Sequence, residues 1–301
     1  MSPLPSSANS QRPVREIAQI FPAAGEQLLG IAALPDTPRD CGVVLVVGGP
    51  QYRVGSHRQF LLLSRHLAAA GFPVFRFDYR GMGDGGGEKR DFTGVSEDIG
   101  AAIEAFQALC PDVRRFVLWG LCDAASAILM YVQATRDARV AGVVALNPWV
   151  RSETSLAQTH IKHYYGQRLM QREFWAKLLT GRLHLFDSLR GLLANATRAY
   201  GTNSSEAEQT GSFQDRMAEG LRHFRGEVLL ILSGQDYTAR EFLEYCGANP
   251  AWRGLLEADK VRRVDIPEAD HTFSSAVLRA RVEEETLTWL VRISGCAGDG
   301  A

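Results

Sequence analysis

Residues 115–124 have the sequence Arg-Phe-Val-Leu-Trp-Gly-Leu-Cys-Asp-Ala, and this stretch decides the fold. Residues 116–119 are an apolar run typical of a buried β-strand, and an alanine-rich helical segment follows the stretch. Gly120 and Ala124 lie two residues before and two residues after Cys122. Small residues at these positions leave room for a very sharp turn between a strand and a helix. The pattern predicts a strand–turn–helix unit that presents the Cys122 thiol above the edge of a sheet.

The same alternation of buried strands and helices continues on both sides of this unit. After an opening hairpin, the sequence predicts strands at 42–48, 72–77, 113–119, 140–146, 227–232 and 261–266, with helices at 59–70, 95–109, 124–135 and 275–293. Alternating strands and helices are typical of an α/β domain in which helices flank a mostly parallel sheet. We therefore predict an α/β fold for most of the chain.

Two segments depart from this alternation. Residues 1–14 are rich in proline and serine and are predicted to form a flexible N-terminal arm. Residues 151–222 contain no strand-like run but several helical stretches rich in aromatic and basic residues. They are predicted to form a helical cap inserted between the two parts of the core, 15–150 and 223–296. Aromatic residues of such a cap are expected mainly to form its core, and some of them would roof an acyl pocket.

Composition excludes several classes of function. The chain has 301 residues, of which 33 are basic and 34 acidic, so its net charge of −1 gives no electrostatic reason to expect nucleic acid as a partner. No apolar run reaches the roughly 18 residues of a membrane span, and no secretory signal is evident, so a cytoplasmic location is expected. The five cysteines are widely spaced and odd in number, which favours neither a disulfide framework nor a metal site. No cofactor is expected.

A cysteine nucleophile needs a general base and a group that orients the base. Asp236 follows the strand at 227–232, and His271 follows the last strand. Both residues, like Cys122, lie in loops after strands, where open α/β sheets place their ligands. The sequence therefore predicts Cys122 as the nucleophile, Asp236 as the orienting acid and His271 as the base.

Other residues near these positions remain alternatives. Ser126 is a second candidate nucleophile, one turn inside the helix. The histidine loop also contains three other acids, Asp265, Glu268 and Asp270. Asp78 and Arg80 have catalytic side-chain types, but a structural role in their own loop is expected for both.

The loop after the strand at 42–48 is expected to complete the site. An oxyanion hole takes one backbone N–H from the residue after the nucleophile, here Asp123, and another from this earlier loop. Pro50 has no N–H, so Gln51 is the expected second donor. Arg53 and His57, in the same loop, are candidates for binding a polar or anionic part of the substrate. The negative charge of Asp123 disfavours a neighbouring thiolate.

Taken together, these motifs resemble the α/β-hydrolase superfamily. The resemblance rests on Gly-Gly-Pro at 48–50, Asp-Tyr-Arg-Gly-Met-Gly-Asp at 78–84, Gly-Leu-Cys-Asp-Ala at 120–124, Asp236 and His271. More narrowly, Gly-Gly-Pro-Gln-Tyr-Arg at 48–53 and Gly-Leu-Cys-Asp at 120–123 resemble the hydrolase 1 proteins associated with the exosortase A system. The similarity covers about residues 15–293. The chain departs from common superfamily patterns at Gly48, Cys122 and Ala124.

The resemblance implies an α/β-hydrolase fold with a helical cap and the hydrolysis of an ester, thioester or related acyl bond. A small-molecule acyl substrate would react with Cys122 to form a covalent acyl-enzyme, and the narrower resemblance implies a link to exopolysaccharide biosynthesis or export. Two alternatives stay open at this point. The same nucleophile would serve an acyltransferase, and the fold would also serve as a non-catalytic scaffold.

Overall fold

The computed structural model describes residues 14–49, 51–151 and 211–295. These residues form an eight-stranded sheet in the order β1-β2-β4-β3-β5-β6-β7-β8. Its strands are β1 (Val14–Ala23), β2 (Glu26–Pro35), β3 (Cys41–Val46), β4 (Val74–Asp78), β5 (Arg115–Leu121), β6 (Val140–Leu146), β7 (Glu227–Ser233) and β8 (Val261–Ile266). The pairs β1–β2 and β2–β4 are antiparallel, and the remaining pairs are parallel. The predicted α/β fold class is confirmed.

Helices cover both faces of this sheet. The described helices are α1 (Gln59–Ala69), α2 (Ser96–Leu109), α3 (Asp123–Thr135), α4 (Phe213–His223), α5 (Tyr237–Ala248) and α6 (Ala276–Gly295). Successive residues of a strand point to opposite faces of the sheet, and each face has its own hydrophobic core. Val43 of β3 packs in the core between the sheet and helices α1 and α6, whereas Val44 packs in the core between the sheet and helices α2 to α5. A strand buried on both faces explains the continuous apolar runs of the sequence.

The strands predicted for the sheet and the helices predicted to flank it are present, and their ends lie within two residues of the predicted ends. The predicted boundary between the cap (151–222) and the second part of the core (223–296) lies within α4. The chain divides into two compact units, one containing residues 1–150 and 213–301 and the other residues 151–212. Helix α4, which the sequence analysis assigned to the cap, therefore belongs to the unit that contains the sheet. Residues 1–13 and 152–210, which include the predicted arm and most of the predicted cap, lie outside the described residues.

Helix α4 packs closely on α3. Met217 and Leu221 of α4 are buried in the core shared with α3. Gly220 permits this approach, because a Cβ atom added there would lie 2.1 Å from the carbonyl oxygen of Leu129 in α3. Helix α4 therefore belongs to the core, because its apolar side is buried against α3 and the backbones of the two helices approach closely.

Substitution of Gly220 by alanine tests this packing. We expect Gly220→Ala to lower the free energy of unfolding by about 1–3 kcal/mol, because the two helices must move apart. The matched control is Gly247→Ala in α5, where a Cβ meets no atom within 4 Å. There alanine should be neutral or stabilise by up to about 1 kcal/mol. Urea unfolding of both variants measures the difference, and equal stabilities would contradict the packing argument.

Candidate active site

The turn between β5 and α3 places Cys122 at its tip. Cys122 has φ 64° and ψ −125°, a conformation that costs a residue other than glycine on the order of 1–3 kcal/mol. Its N–H donates to the carbonyl of Leu146 at the end of β6, at 2.8 Å. A Cβ atom on Gly120 would lie 2.7 Å from Ile128 and 2.8 Å from the carbonyl carbon of Ala124. Gly120 is therefore needed at the base of the turn, because a larger side chain would collide with the first turn of α3.

His271 links Asp236 to Cys122. The Nδ1 atom of His271 lies 2.8 Å from Oδ2 of Asp236. Hydrogen bonds to Asp236 and then to Cys122 raise the pKa of His271 to about 10. Burial alone would raise the pKa of Asp236, but the bond to His271 and the N–H groups of Thr238 and Ala239 outweigh it and lower that pKa. The structure thus brings together the three residues that the sequence selected as nucleophile, acid and base.

Cys122 differs from the other described cysteines in its surroundings. It is half-buried and contacts an imidazole that is positively charged at neutral pH. Such a neighbour favours the reactive thiolate form of a cysteine. Burial raises the pKa of Cys41 to about 11 and also raises the pKa values of Cys110 and Cys246. Of these four thiols, only that of Cys122 lies against the imidazole of His271.

The rival nucleophile, Ser126, faces the protein interior. Its side chain is fully buried, and its hydroxyl donates to the carbonyl of Trp149 at 2.7 Å. A hydroxyl bonded to a backbone carbonyl in this way stabilises the chain after β6. Ser126 therefore supports the turn and is not presented to a substrate.

The rival acids are also directed elsewhere. Asp265 pairs with Arg263 at 2.9 Å on the surface. Asp270 accepts the N–H of Ser274 at 2.8 Å and also its hydroxyl, which orders the loop before α6. Glu268 is exposed. Among the candidate acids, only Asp236 is hydrogen-bonded to the imidazole of His271.

Two residues that the sequence analysis missed hold the histidine loop in place. Asn147 is fully buried directly after β6, and its amide nitrogen donates to the Ser233 hydroxyl at 2.8 Å and to the His271 carbonyl at 3.1 Å. The Ser233 N–H donates to the Asn147 side chain at 2.9 Å, and the Ser233 hydroxyl donates to the Asp270 carbonyl at 2.9 Å. The sequence signal that could have indicated Asn147 was its position, one residue beyond a buried strand. Its backbone has a positive φ of 42°, which asparagine tolerates well.

The two predicted oxyanion residues lie in the expected segments. Asp123 is the first residue of α3, and Gln51 lies in the loop after β3, where its side chain accepts the N–H of Ser56 at 3.1 Å. The Asp123 carboxylate accepts the N–H of Gly49 at 2.7 Å. Burial raises the pKa of Asp123, although the surrounding N–H groups oppose this. The use of the Asp123 and Gln51 N–H groups as oxyanion donors stays a prediction.

Arg53 forms ion pairs that join two loops near the site. Its guanidinium pairs with Asp84 at 2.7 Å and with the fully buried Asp78, and its N–H donates to Asp78 at 2.6 Å. Arg53 therefore ties its own loop to the loop after β4, and substrate binding by Arg53 stays a prediction. Nearby, Arg80 binds the buried Asp98 at 2.8 Å. The carboxylate of Asp78 and the guanidinium of Arg80 thus have structural partners, as expected.

His57 lies close to the triad. Its Nε2 atom is 3.0 Å from the hydroxyl of Thr272, the residue after His271. His57 and the adjacent Arg58 both have positive φ values, 53° and 63°, which bend the loop before α1. Substrate binding by His57 stays a prediction, which its position beside the histidine loop favours.

Within residues 14–49, 51–151 and 211–295, no group of three or more His, Cys, Asp or Glu side chains is arranged to hold a metal ion. The helices in these same ranges are all too short or too polar to cross a membrane.

Comparison with known proteins agrees with this geometry. A family model described as "Alpha/beta hydrolase family" matches residues 43–283. Similar solved structures include the esterase Pf2001 of Pyrococcus furiosus, with TM-score 0.60, 14% identity and 93% of each chain covered. A dienelactone hydrolase from Anabaena variabilis is similar with TM-score 0.59 and 14% identity, over 93% of this chain and 98% of that chain. Est1E from Butyrivibrio proteoclasticus with bound ferulic acid is similar with TM-score 0.58 and 13% identity, over 91% of this chain and 98% of that chain. At these identities the similarity shows a shared fold. No curated protein matched the sequence.

The raised pKa of His271 predicts a pH-dependent contribution to stability. We use the Cys122→Ala background, in which the bond to Asp236 remains and thiol ionisation is removed. A folded-state pKa above the ordinary value of 6.5 stabilises the fold most below pH 6.5, and this contribution is lost as pH rises toward the folded-state pKa. Urea unfolding should therefore show that adding His271→Gln costs most near pH 6 and progressively less toward pH 9.5. A cost that is constant or grows over this range would contradict the assignment.

Alkylation provides a direct test of the nucleophile. At neutral pH, iodoacetamide should modify Cys122 faster than Cys41, Cys110 or Cys246, because burial disfavours ionisation of the other three thiols. His271→Gln should slow modification of Cys122 roughly tenfold or more by removing the positive partner.

Peptide mass spectrometry measures each rate. The matched control is His223→Gln at the exposed end of α4, which should leave the rate at Cys122 unchanged. Equal reactivity of all four cysteines in the wild-type protein would remove Cys122 as the candidate nucleophile.

Proposed function

Since this chain belongs to the alpha/beta hydrolase family, we propose that it is an enzyme that cleaves an ester, thioester or related acyl bond with Cys122 as its nucleophile. One observation carries the proposal: His271 is bonded to Asp236 on one side and to Cys122 on the other. A nucleophile, a base and a group that orients the base are the minimum set for acyl transfer to an enzyme side chain.

The first half-reaction forms the acyl-enzyme. The Cys122 thiolate attacks the acyl carbonyl carbon, and the carbonyl π electrons move to oxygen to give a tetrahedral oxyanion. When this intermediate collapses, the bond to the leaving alcohol or thiol breaks, and protonated His271 donates its proton to the leaving group. A thioester between the acyl group and Cys122 remains, beside a neutral imidazole. Because Nδ1 is bonded to Asp236, Nε2 is the nitrogen that faces the reaction.

The second half-reaction returns the enzyme to its starting state. His271 takes a proton from a water molecule as that water attacks the thioester carbonyl. Collapse of the second tetrahedral intermediate breaks the bond to sulfur and releases a carboxylic acid and the Cys122 thiolate. The imidazolium and thiolate of the resting pair are then restored. Throughout both steps, Asp236 fixes the orientation of the ring and stabilises its positive charge.

The kind of substrate follows from two sources. The structural neighbours include the esterase Pf2001 and Est1E with bound ferulic acid, and the first of these names favours an ester as the first substrate to test. The motifs at 48–53 and 120–123 support the narrower proposal that the protein is of the exosortase A-associated hydrolase 1 type. On that proposal, the natural acyl substrate is a small molecule linked to exopolysaccharide biosynthesis or export.

The proposal predicts a covalent intermediate on Cys122. With p-nitrophenyl esters of graded acyl length, the wild-type protein should release p-nitrophenol and gain the mass of one acyl group on the peptide that contains Cys122. Cys122→Ala should lower kcat/KM by about 10³-fold or more and show no added mass. The matched control, Cys110→Ala, removes a buried thiol on the far side of the core and should retain both signals.

Product analysis then separates hydrolysis from transfer. Release of free acid at the full rate without any acceptor supports hydrolysis, whereas release that requires an added alcohol or amine indicates an acyltransferase. Full turnover by Cys122→Ala would refute the covalent mechanism.

A further inference from the structure

The Asp123 side chain connects the nucleophile turn to the loop after β3. Its Oδ1 atom accepts the N–H of Gly49 at 2.7 Å. The space for this carboxyl group exists because Gly48 has no side chain: a Cβ atom there would lie 2.3 Å from the same oxygen. Gly49 itself has φ 62°, a left-handed conformation that favours glycine. The two glycines and the carboxyl group therefore form one arrangement, in which residue 123 fixes the path of residues 48 and 49.

This contact decides which N–H groups the loop can offer to a substrate. The Gly49 N–H is already bonded to Asp123, and Pro50 has no N–H to donate. Gln51 is therefore the next backbone donor along the loop. The Gln51 side chain is bonded to the Ser56 N–H at 3.1 Å. The loop is thus held by side-chain hydrogen bonds on both sides of residue 50.

An oxyanion hole is effective only if its donors are held in place before charge develops on the substrate oxygen. We propose that Asp123 is a positioning residue for the oxyanion hole: its carboxyl group holds the loop after β3 against the first turn of α3, so that the N–H groups of Gln51 and Asp123 converge on one oxygen. This inference rests on the proposed acyl chemistry and adds a role for the Asp123 side chain.

The proposal also resolves a conflict in charge. A carboxylate beside the nucleophile disfavours a thiolate at Cys122. Burial raises the pKa of Asp123, although the surrounding N–H groups oppose this. The Gly49 N–H needs only an oxygen acceptor, which a carboxylate, a protonated carboxyl group or an amide would each supply. Hydrogen-bond acceptance, and not negative charge, is therefore the property on which the positioning role depends.

A pair of neutral variants isolates that property. Asp123→Asn keeps an oxygen acceptor for the Gly49 N–H, whereas Asp123→Ala lacks one, and both lack the charge. Acylation of Cys122 by p-nitrophenyl acetate develops an oxyanion, but alkylation of Cys122 by iodoacetamide does not. We expect Asp123→Asn to acylate about 10- to 100-fold faster than Asp123→Ala, with KM values within about threefold. Their alkylation rates should agree within about threefold, because no oxyanion forms.

Each other result overturns the proposal. Acylation rates of the two variants within threefold would show that the Gly49 contact does not position the hole. Equal losses of acylation and alkylation in Asp123→Ala would show that Asp123 acts through the thiol or through folding, which circular dichroism of both variants monitors. If the wild-type protein is alkylated at Cys122 but forms no acyl-enzyme, the proposed function itself has failed. If it forms the acyl-enzyme and the two variants do not differ, only the role of Asp123 has failed.

Discussion

The sharp backbone turn at Cys122, where the chain passes from β5 into α3, is the constraint on which the site depends. Its backbone conformation is unfavourable by about 1–3 kcal/mol and persists only because the surrounding contacts require it. Gly120 leaves space under the turn, and the bond from the Cys122 N–H to Leu146 joins the turn to the neighbouring strand. A relaxed turn would lower the thiol toward the sheet and separate it from His271. The sheet beneath the turn is therefore as much a part of the site as the triad.

The parallel sheet explains why three loops distant in sequence meet at this turn. Strands β5, β6, β7 and β8 are neighbours in that order, about 4.8 Å apart, so the loops after β5 and β8 begin well over 10 Å from each other. The histidine loop must cross the ends of β6 and β7 to reach Cys122. Asn147 and Ser233 lie at those two ends and bond the backbone of the crossing loop. The buried Asn147 amide and the Ser233 hydroxyl, each with its polar atoms hydrogen-bonded, thus hold His271 within reach of the Cys122 thiol.

What the sequence predicted and what it missed have physical reasons. Strands buried on both faces have unmistakable apolar runs, and the order of nucleophile, acid and base follows the order of the strands. The ion pair of Arg53 was missed because its partner, Asp78, is brought to it by folding from 25 positions away. Asn147 was missed because a polar residue after a strand has the same local pattern as an ordinary loop residue. Helix α4 was assigned to the cap because an amphipathic pattern does not show which surface covers it.

The charge on the imidazole depends on both of its partners. Hydrogen bonds to Asp236 and then to Cys122 raise the pKa of His271 to about 10. A charged ring stabilises a thiolate, so the resting site suits a cysteine nucleophile. Once the sulfur carries an acyl group, its contribution to the pKa of His271 is lost and the bond to Asp236 remains. The pKa of His271 is then lower, and the same ring can take a proton from water. One histidine therefore acts as a charged partner in the first step and as a base in the second.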